Sequence, residues 1–178
     1  MSKSKNEDLN VSSSGKVAVR RREGFSSTPY NDEANPPNCT SGFGTKLHAG
    51  PCNEKELKMR FTSAAANKAL DQHLNENARY VKHFVRDQAL SQNQFDSLVS
   101  FVYNVGVKHA MPVLLLANGG ELTKVPAEMK KFIKVKQTNK NGKTVYEPSP
   151  GLVNRRNSEV AQFDQAEEAT LPPKATLP

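Results

Sequence analysis

The clearest hydrophobic pattern in the chain lies between Ser91 and Gly106. Phe95, Leu98, Val99 and Val102 recur at helical spacing and Phe101 widens the face, so this stretch predicts a helix buried on most sides. Ser91 with Gln94 supplies a capping box at its start, and Gly106 ends it. A second box, Asn53 with Glu56, predicts a long helix carrying Leu57, Phe61, Ala64, Ala65 and Leu70 on one side towards residue 85, with a break near Asn75 to Asn77. An earlier helix is expected to start within Ser12 to Ser14, carry "GKVAVRRRE" and stop at Gly24, a residue suited to the left-handed position past a helix end.

Residues 25 to 52 have no helical period and are dense in Pro, Gly and Asn, with short strands expected around Tyr30 and around Ser41 to Gly44. Beyond the central helix come short helices over about 109 to 118 and 126 to 134. A polar hairpin, "KQTNKNGKTVYEP", should turn at Asn141-Gly142. A last helix opens at Ser149-Pro150 and runs through "GLVNRRNSEVAQF". Residues 1 to 12 and 164 to 178 read as disordered tails, the second rich in Pro. The sum is an α+β domain over 13 to 163, mainly helical, with one small antiparallel sheet near its N-terminal end.

Composition narrows the partners. Lys and Arg outnumber Asp and Glu, 25 to 18, for a net charge of +7, which suits an anionic partner such as a wall polymer. The positive residues are scattered and no zinc-finger, RNP-like or KH-type motif accompanies them, so nucleic acid is not the expected ligand. The longest apolar run, "MPVLLLA", is too short to span a bilayer, and "MSKSKNEDLN" lacks the apolar core of a signal peptide. Cys39 and Cys52 share one Pro/Gly/Asn-rich stretch, and the sequence leaves open whether they bridge or remain two thiols. No CxxC or Cys/His spacing of a zinc site is present, and the four histidines (48, 73, 83, 109) are dispersed.

Two acids carry the candidate chemistry. Glu23 falls in the last turn of the first helix, at the negative end of its macrodipole, which disfavours the ionised form and suits a general acid; Arg20, Arg21 and Arg22 push the other way. Asp32, in a polar strand-and-turn region, should stay ionised. Two carboxyls in unlike surroundings are what glycosidic cleavage uses.

Segment by segment and in order, "REGF", "PYND", "TSGFG", "QNQFDSLVSFVYNVG" and "PGLVNRR" resemble the phage-type lysozymes of the T4-like endolysin family, glycoside hydrolase family 24, over about residues 14 to 163. The family pattern runs Glu, eight residues, Asp, five residues, Thr, then Gly-aromatic-Gly; here seven residues separate Asp32 from Thr40, an insertion of two around Asn35 to Cys39. Thr45 stands where the family often has His, with His48 nearby as a substitute or a surface residue, and the tryptophan many relatives carry after "KKFI" is absent.

The resemblance implies a lysozyme-like fold with a cleft between sheet and helical lobe, and hydrolysis of the β-1,4 bond between N-acetylmuramic acid and N-acetylglucosamine of peptidoglycan. Glu23 would protonate the glycosidic oxygen while Asp32 and Thr40 hold a water on the opposite face, giving inversion with no metal or cofactor. Tyr103 and Asn104 would line the cleft and touch substrate, and Arg155 and Arg156 would make structural ion pairs. The expected protein is a monomer without stable membrane insertion. It would be made in the cytoplasm and act in the periplasm or wall, as an endolysin released by a holin or as an effector with an immunity partner. A non-catalytic peptidoglycan-binding module on the same fold, and activity on chitin-like glycans, are the competing readings.

Overall fold

The computed structural model describes residues 3–32, 34, 36–138 and 142–165. In chain order its elements are α1 (Ser13–Glu23), β1 (Ser26–Asn31), β2 (Asn38–Gly42), β3 (Thr45–Ala49), α2 (Ser63–Phe84), α3 (Gln92–Val105), α4 (Val107–Asn118), α5 (Val125–Met129), β4 (Lys134–Thr138), β5 (Thr144–Pro148) and α6 (Pro150–Phe163). This is the expected α+β arrangement, a three-stranded antiparallel sheet β1-β2-β3 beside a helical lobe. A separate two-stranded ribbon, β4 with β5, realises the hairpin. Its expected turn at Asn141 lies outside the described residues.

Helix α3 is the axis of the core. Every residue from Phe95 to Val102 is buried, and α2, α4 and α6 pack around it. The capping box at its start is complete: Ser91 Oγ accepts from Gln94 N, and the Gln94 side chain accepts from Ser91 N. Eight consecutive buried positions include polar ones, and each of these has a partner. Ser97 Oγ donates to the Glu159 carbonyl, and Asp96 accepts from Ser12 N at 3.0 Å. That last bond pins the first turn of α1 to the core.

The structure corrects several expectations. The Asn53/Glu56 box exists, with Asn53 N donating to Glu56 Oε2 at 2.7 Å, but it opens only a single 3-10 turn over Glu56–Lys58. Met59 then turns extended and Phe61 N donates to the Ser27 carbonyl of β1, so this segment serves the sheet. The long helix begins at Ser63 with Thr62 as its N-cap and runs unbroken past Asn75 to Asn77. Helix α5 stops at Met129, because Lys134 onward pairs in the ribbon.

Residues 3 to 12, expected as a tail, are packed against the body. Asn6 is buried, its Nδ2 donating to the Val85 and Gln88 carbonyls while its Oδ1 accepts from Leu90 N. Val11 joins the hydrophobic core. The Pro-rich segment from 166 lies outside the described residues.

Cys39 on β2 and Cys52 are joined in a disulfide across a sequence separation of 13. Closing a loop of that order contributes roughly 3 kcal/mol in the chain-entropy treatment. Among the described residues no helix is long and apolar enough to cross a membrane.

Candidate active site

Glu23 is the last residue of α1, followed by Gly24 at φ 68°, a conformation that costs a residue without Cβ little and turns the chain sharply into β1. The Glu23 side chain is 17% exposed, and its Oε1 lies 2.6 Å from Arg155 Nη1 on α6 as a charge contact, without the alignment of a hydrogen bond. Its Oε2 faces the tip of the β2-β3 hairpin. A Cβ built on Gly44 would stand 3.2 Å from that oxygen, and Gly44 has φ +78°. A side chain at the tip would therefore press on the carboxylate and strain the backbone, and glycine avoids both.

Around this carboxyl four elements form a groove of about 350 Å³ lined by Glu23, Gly44, Thr45, Lys46, His73, Asn77, Tyr103 and Asn104. Tyr103 and Asn104, expected on substrate, do line it. Both also brace its walls: Tyr103 Oη donates to the Phe43 carbonyl at 3.1 Å, and Asn104 Oδ1 accepts from Arg156 Nη2. Burial lifts the Tyr103 phenol far above its usual titration range, with the negative charge of Glu23 adding to the effect. His73 and Asn77, which the sequence reading did not single out, come from one face of α2, where Asn77 Nδ2 donates to the His73 carbonyl at 2.9 Å. Their spacing of four on a helix was the available signal.

Asp32 and Thr40 stand on the sheet beside the groove and do not line it. The register sets Tyr30, Thr40 and Lys46 directly opposite one another across β1, β2 and β3, so they form one cross-strand row. Thr40 is buried and its Oγ1 has no protein hydrogen-bond partner; Thr45 Oγ1 is in the same state. Asp32 Oδ1 accepts from Asn38 N at 2.7 Å and Ala34 N at 3.0 Å, while Oδ2 accepts from Asn38 Nδ2 at 2.9 Å. These bonds, the Asn38 backbone first, hold the Asp32 carboxyl below its ordinary pKa, and the Lys46 charge acts in the same direction. The carboxylate is thus ionised and organises the inserted loop.

Both acids act on Tyr30. Its phenol is raised by burial first and then by the charges of Glu23 and Asp32, so it lies in the field of both. Lys46 belongs both to the groove lining and to the field at Asp32. His48 is elsewhere: it bonds Ala49 and Glu56 on an exposed part of the sheet lobe and does not take the place of a groove histidine.

Behind Glu23 is a buried ionic cluster. Arg155 contacts Glu159 through Nε at 3.2 Å as well as Glu23, and Arg156 Nη1 lies 3.0 Å from Glu159 Oε2. Glu159 is fully buried and also accepts from Ser100 Oγ at 2.7 Å; Arg22 Nη1 donates to the same hydroxyl. The Arg156 guanidinium sits 4.8 Å over the Phe101 ring, and burial lowers it to about 10 against the opposing pull of Glu159. Arg156 fits the expected structural role. Arg155 does more, because it reaches Glu23's own oxygen; of the helix-end arginines, Arg20 is drawn off to Asp71 at 3.1 Å and Arg22 to Ser100.

Comparison with known proteins shows the family and the fold. The phage lysozyme family matches residues 20–159. An endolysin of Acyrthosiphon pisum secondary endosymbiont phage 1 is 29% identical over 163 residues, covering 89% of this chain and all of the relative. The muramidase domain of SpmX from Asticaccaulis excentricus superposes with a TM-score of 0.72 at 25% identity, over 89% of this chain and 99% of that one. An endolysin from Escherichia coli O157:H7 phage FAHEc1 gives the same TM-score at 27% identity, over 93% and 98%. The matched span opens just before Glu23 and closes on Glu159, the two ends of the ionic chain through Arg155, and the chain belongs to the phage lysozyme family.

Proposed function

We propose that the chain is a peptidoglycan hydrolase that cleaves the β-1,4 bond between N-acetylmuramic acid and N-acetylglucosamine, with Glu23 as proton donor. The observation that carries this reading is a mostly buried carboxyl at a helix end, opening into a groove between sheet and helical lobe. A glycosidic oxygen placed there would receive the Glu23 proton as the bond breaks. Asp32, kept ionised by Asn38, and the unpartnered Thr40 hydroxyl would hold the attacking water from the sheet side, which is the arrangement of inversion.

The groove's mixed lining suits a sugar chain. Lys46 and His73 supply positive or polar contacts, and Asn77, Asn104 and Thr45 supply amide and hydroxyl groups. The excess positive charge would hold the enzyme near anionic wall polymers. Action on the wall follows delivery across the inner membrane, by a holin or a secretion machine, with the protein working as a monomer.

The test is mass analysis of muropeptides released from purified sacculi. Wild type should release fragments ending in reducing N-acetylmuramic acid, the α-anomer first. Glu23→Gln should release none while keeping its helical circular dichroism and unfolding midpoint. Glu23→Gln protein that clears sacculi at the wild-type rate removes the acid from the mechanism; wild type that binds sacculi and releases nothing makes the chain a binding module.

A further inference from the structure

The face of the sheet away from the Tyr30-Thr40-Lys46 row carries a second set of reactive side chains. Adjacent residues on a strand point to opposite faces, so Cys39, next to Thr40, looks the other way. Its cross-strand partner on β3 is His48, and directly opposite residues share a face; a register shift between the Cys39 and Thr40 pairs lets His48 stand on this face although Lys46, two residues before it, pairs with Thr40. Cys52 is bonded to Cys39, and the 3-10 turn that follows brings Glu56 back over them. The Cys39 and Cys52 sulfurs and a Glu56 carboxylate oxygen all lie within 4.8 Å of one another, and His48 Nε2 stands 2.9 Å from Glu56 Oε1.

The orientation of His48 adds an independent observation. Its Nδ1 lies 2.9 Å from the Ala49 carbonyl, an atom that can only accept, so Nδ1 carries the hydrogen. This fixes Nε2 as the nitrogen turned towards Glu56. A neutral ring would then present a lone pair to a carboxylate oxygen, so a proton or a cation has to stand between them. A histidine whose far nitrogen donates to a backbone carbonyl while its near nitrogen faces a carboxylate has the support expected of a metal ligand. Glu56 is likewise held, Oε2 accepting from Asn53 N at 2.7 Å.

We infer that Cys39, Cys52, His48 and Glu56 form a zinc site in the reduced chain, alternative to the disulfide. Zinc takes four such ligands at about 2.0 to 2.3 Å in a tetrahedron, which sets two sulfurs roughly 3.8 Å apart. The Glu56 carboxylate already stands beside both sulfurs, and the imidazole reaches the same place by way of Glu56, to which its Nε2 is held at 2.9 Å.

The chemistry balances in two steps. A dithiol reductant transfers two electrons and two protons to the Cys39–Cys52 bond, giving two thiols and leaving its own disulfide. Zinc then displaces one proton from each thiol and binds both thiolates. The metal and the sulfur-sulfur bond exclude each other, because they use the same two atoms. Either one closes the loop from Cys39 to Cys52, so the strand that carries Thr40 stays tied in reducing as well as oxidising surroundings. No Cys/His spacing announced this set, because β-sheet register rather than a helical or knuckle motif brings it together.

The test uses the full chain reduced with a phosphine, desalted without oxygen and titrated with cobalt(II), then zinc(II). One equivalent of cobalt should give a thiolate charge-transfer absorption and the visible bands of a tetrahedral ion, both abolished by zinc. The chain kept oxidised should give neither. His48→Ala and Glu56→Gln should each weaken zinc binding by at least about tenfold, since even outer-sphere partners of a metal are worth that much. Zinc should also raise the unfolding midpoint of the reduced chain and leave that of the oxidised chain unmoved. A reduced chain with no charge-transfer band and a midpoint indifferent to zinc overturns the site, and so does unchanged affinity in both the His48 and Glu56 variants. None of these readouts depends on wall hydrolysis.

Discussion

Arg155 Nη1 rests 2.6 Å from Glu23 Oε1, and the same guanidinium touches the fully buried Glu159 through Nε. One side chain on the last helix therefore sets the position of the acid on the first and neutralises a carboxylate in the core. Those tasks have separable consequences.

Arg155→Ala strips Glu159 of one of its two arginine partners and leaves Glu23 free to rotate. Breaking a buried ion pair from one side costs on the order of 3 kcal/mol, read from urea unfolding. A shift of about 1 Å in a catalytic group costs roughly 100-fold in rate. Arg155→Lys, which can keep one charge contact but not both, should fall between wild type and Ala on both measures. An Arg155→Ala protein with full lytic rate would show that Glu23 needs no support from α6.

The lowered Asp32 carboxyl makes a signed prediction about acid. Its folded pKa lies below the ordinary value of 3.8, so the unfolded chain takes up this proton first as pH falls. The stabilisation is fully present above that ordinary value and is lost as pH falls through the lower folded one. Asp32→Asn should therefore unfold at lower temperature than wild type at neutral pH, with the gap narrowing as pH falls below the ordinary value and through the lower folded one. A gap that persists undiminished at pH 2 would assign the loss to something other than the charge. Because Asp32 also holds Asn38 and Ala34, the variant should lose activity at every pH.

How much of this was legible depends on where each feature's information lies. Helix α3 was readable end to end because its capping box and its apolar period are both local. The Asn53/Glu56 pair carries the same local signature and makes the same two bonds, yet yields one 3-10 turn. What diverts it is Phe61 pairing with Ser27 in β1, a contact no local pattern encodes. Asn6 was invisible for a similar reason: a polar segment looks like a tail until its partners appear 79 to 84 residues away. Glu23 and Asp32 were found by order and resemblance, while Arg155 as the holder of Glu23 needed the packing of α6 against α3. His73 and Asn77 sit on a helix face that reads as solvent until the hairpin tip is seen to share a groove with it.

Tyr103 separates bracing from binding. Tyr103→Phe keeps the ring and deletes the bond from Oη to the Phe43 carbonyl, which joins α3 to the hairpin whose tip abuts Glu23. The stability loss should be about 1 kcal/mol, the ordinary net value of one such bond. If the hydroxyl works by holding the hairpin, turnover at saturating substrate falls while the half-saturation concentration changes little. A rise in that concentration with turnover intact would make Oη a substrate contact.

Gly15 offers a prediction in which a general rule and the local geometry disagree. Replacing a glycine inside a helix by alanine ordinarily stabilises by up to about 1 kcal/mol, because alanine has less backbone freedom to lose. Here the new Cβ would stand 2.6 Å from Asp96 Cγ and 2.7 Å from its Oδ2. Asp96 cannot step back freely, since its carboxylate accepts from Ser12 N and from Gln92 Nε2, both at 3.0 Å, and those bonds fix the first turn of α1. The collision is with a held side chain in a packed core, where such crowding costs about 1 to 3 kcal/mol, so the steric term should win. Gly15→Ala should unfold at lower urea concentration than wild type. Because the strain enters at the end of α1 opposite Glu23, it should also lower lytic rate more than the stability loss alone accounts for at temperatures where both proteins are folded. A stabilised variant would mean that Asp96 moves without penalty, and that α1 is held to the core by something other than this carboxylate.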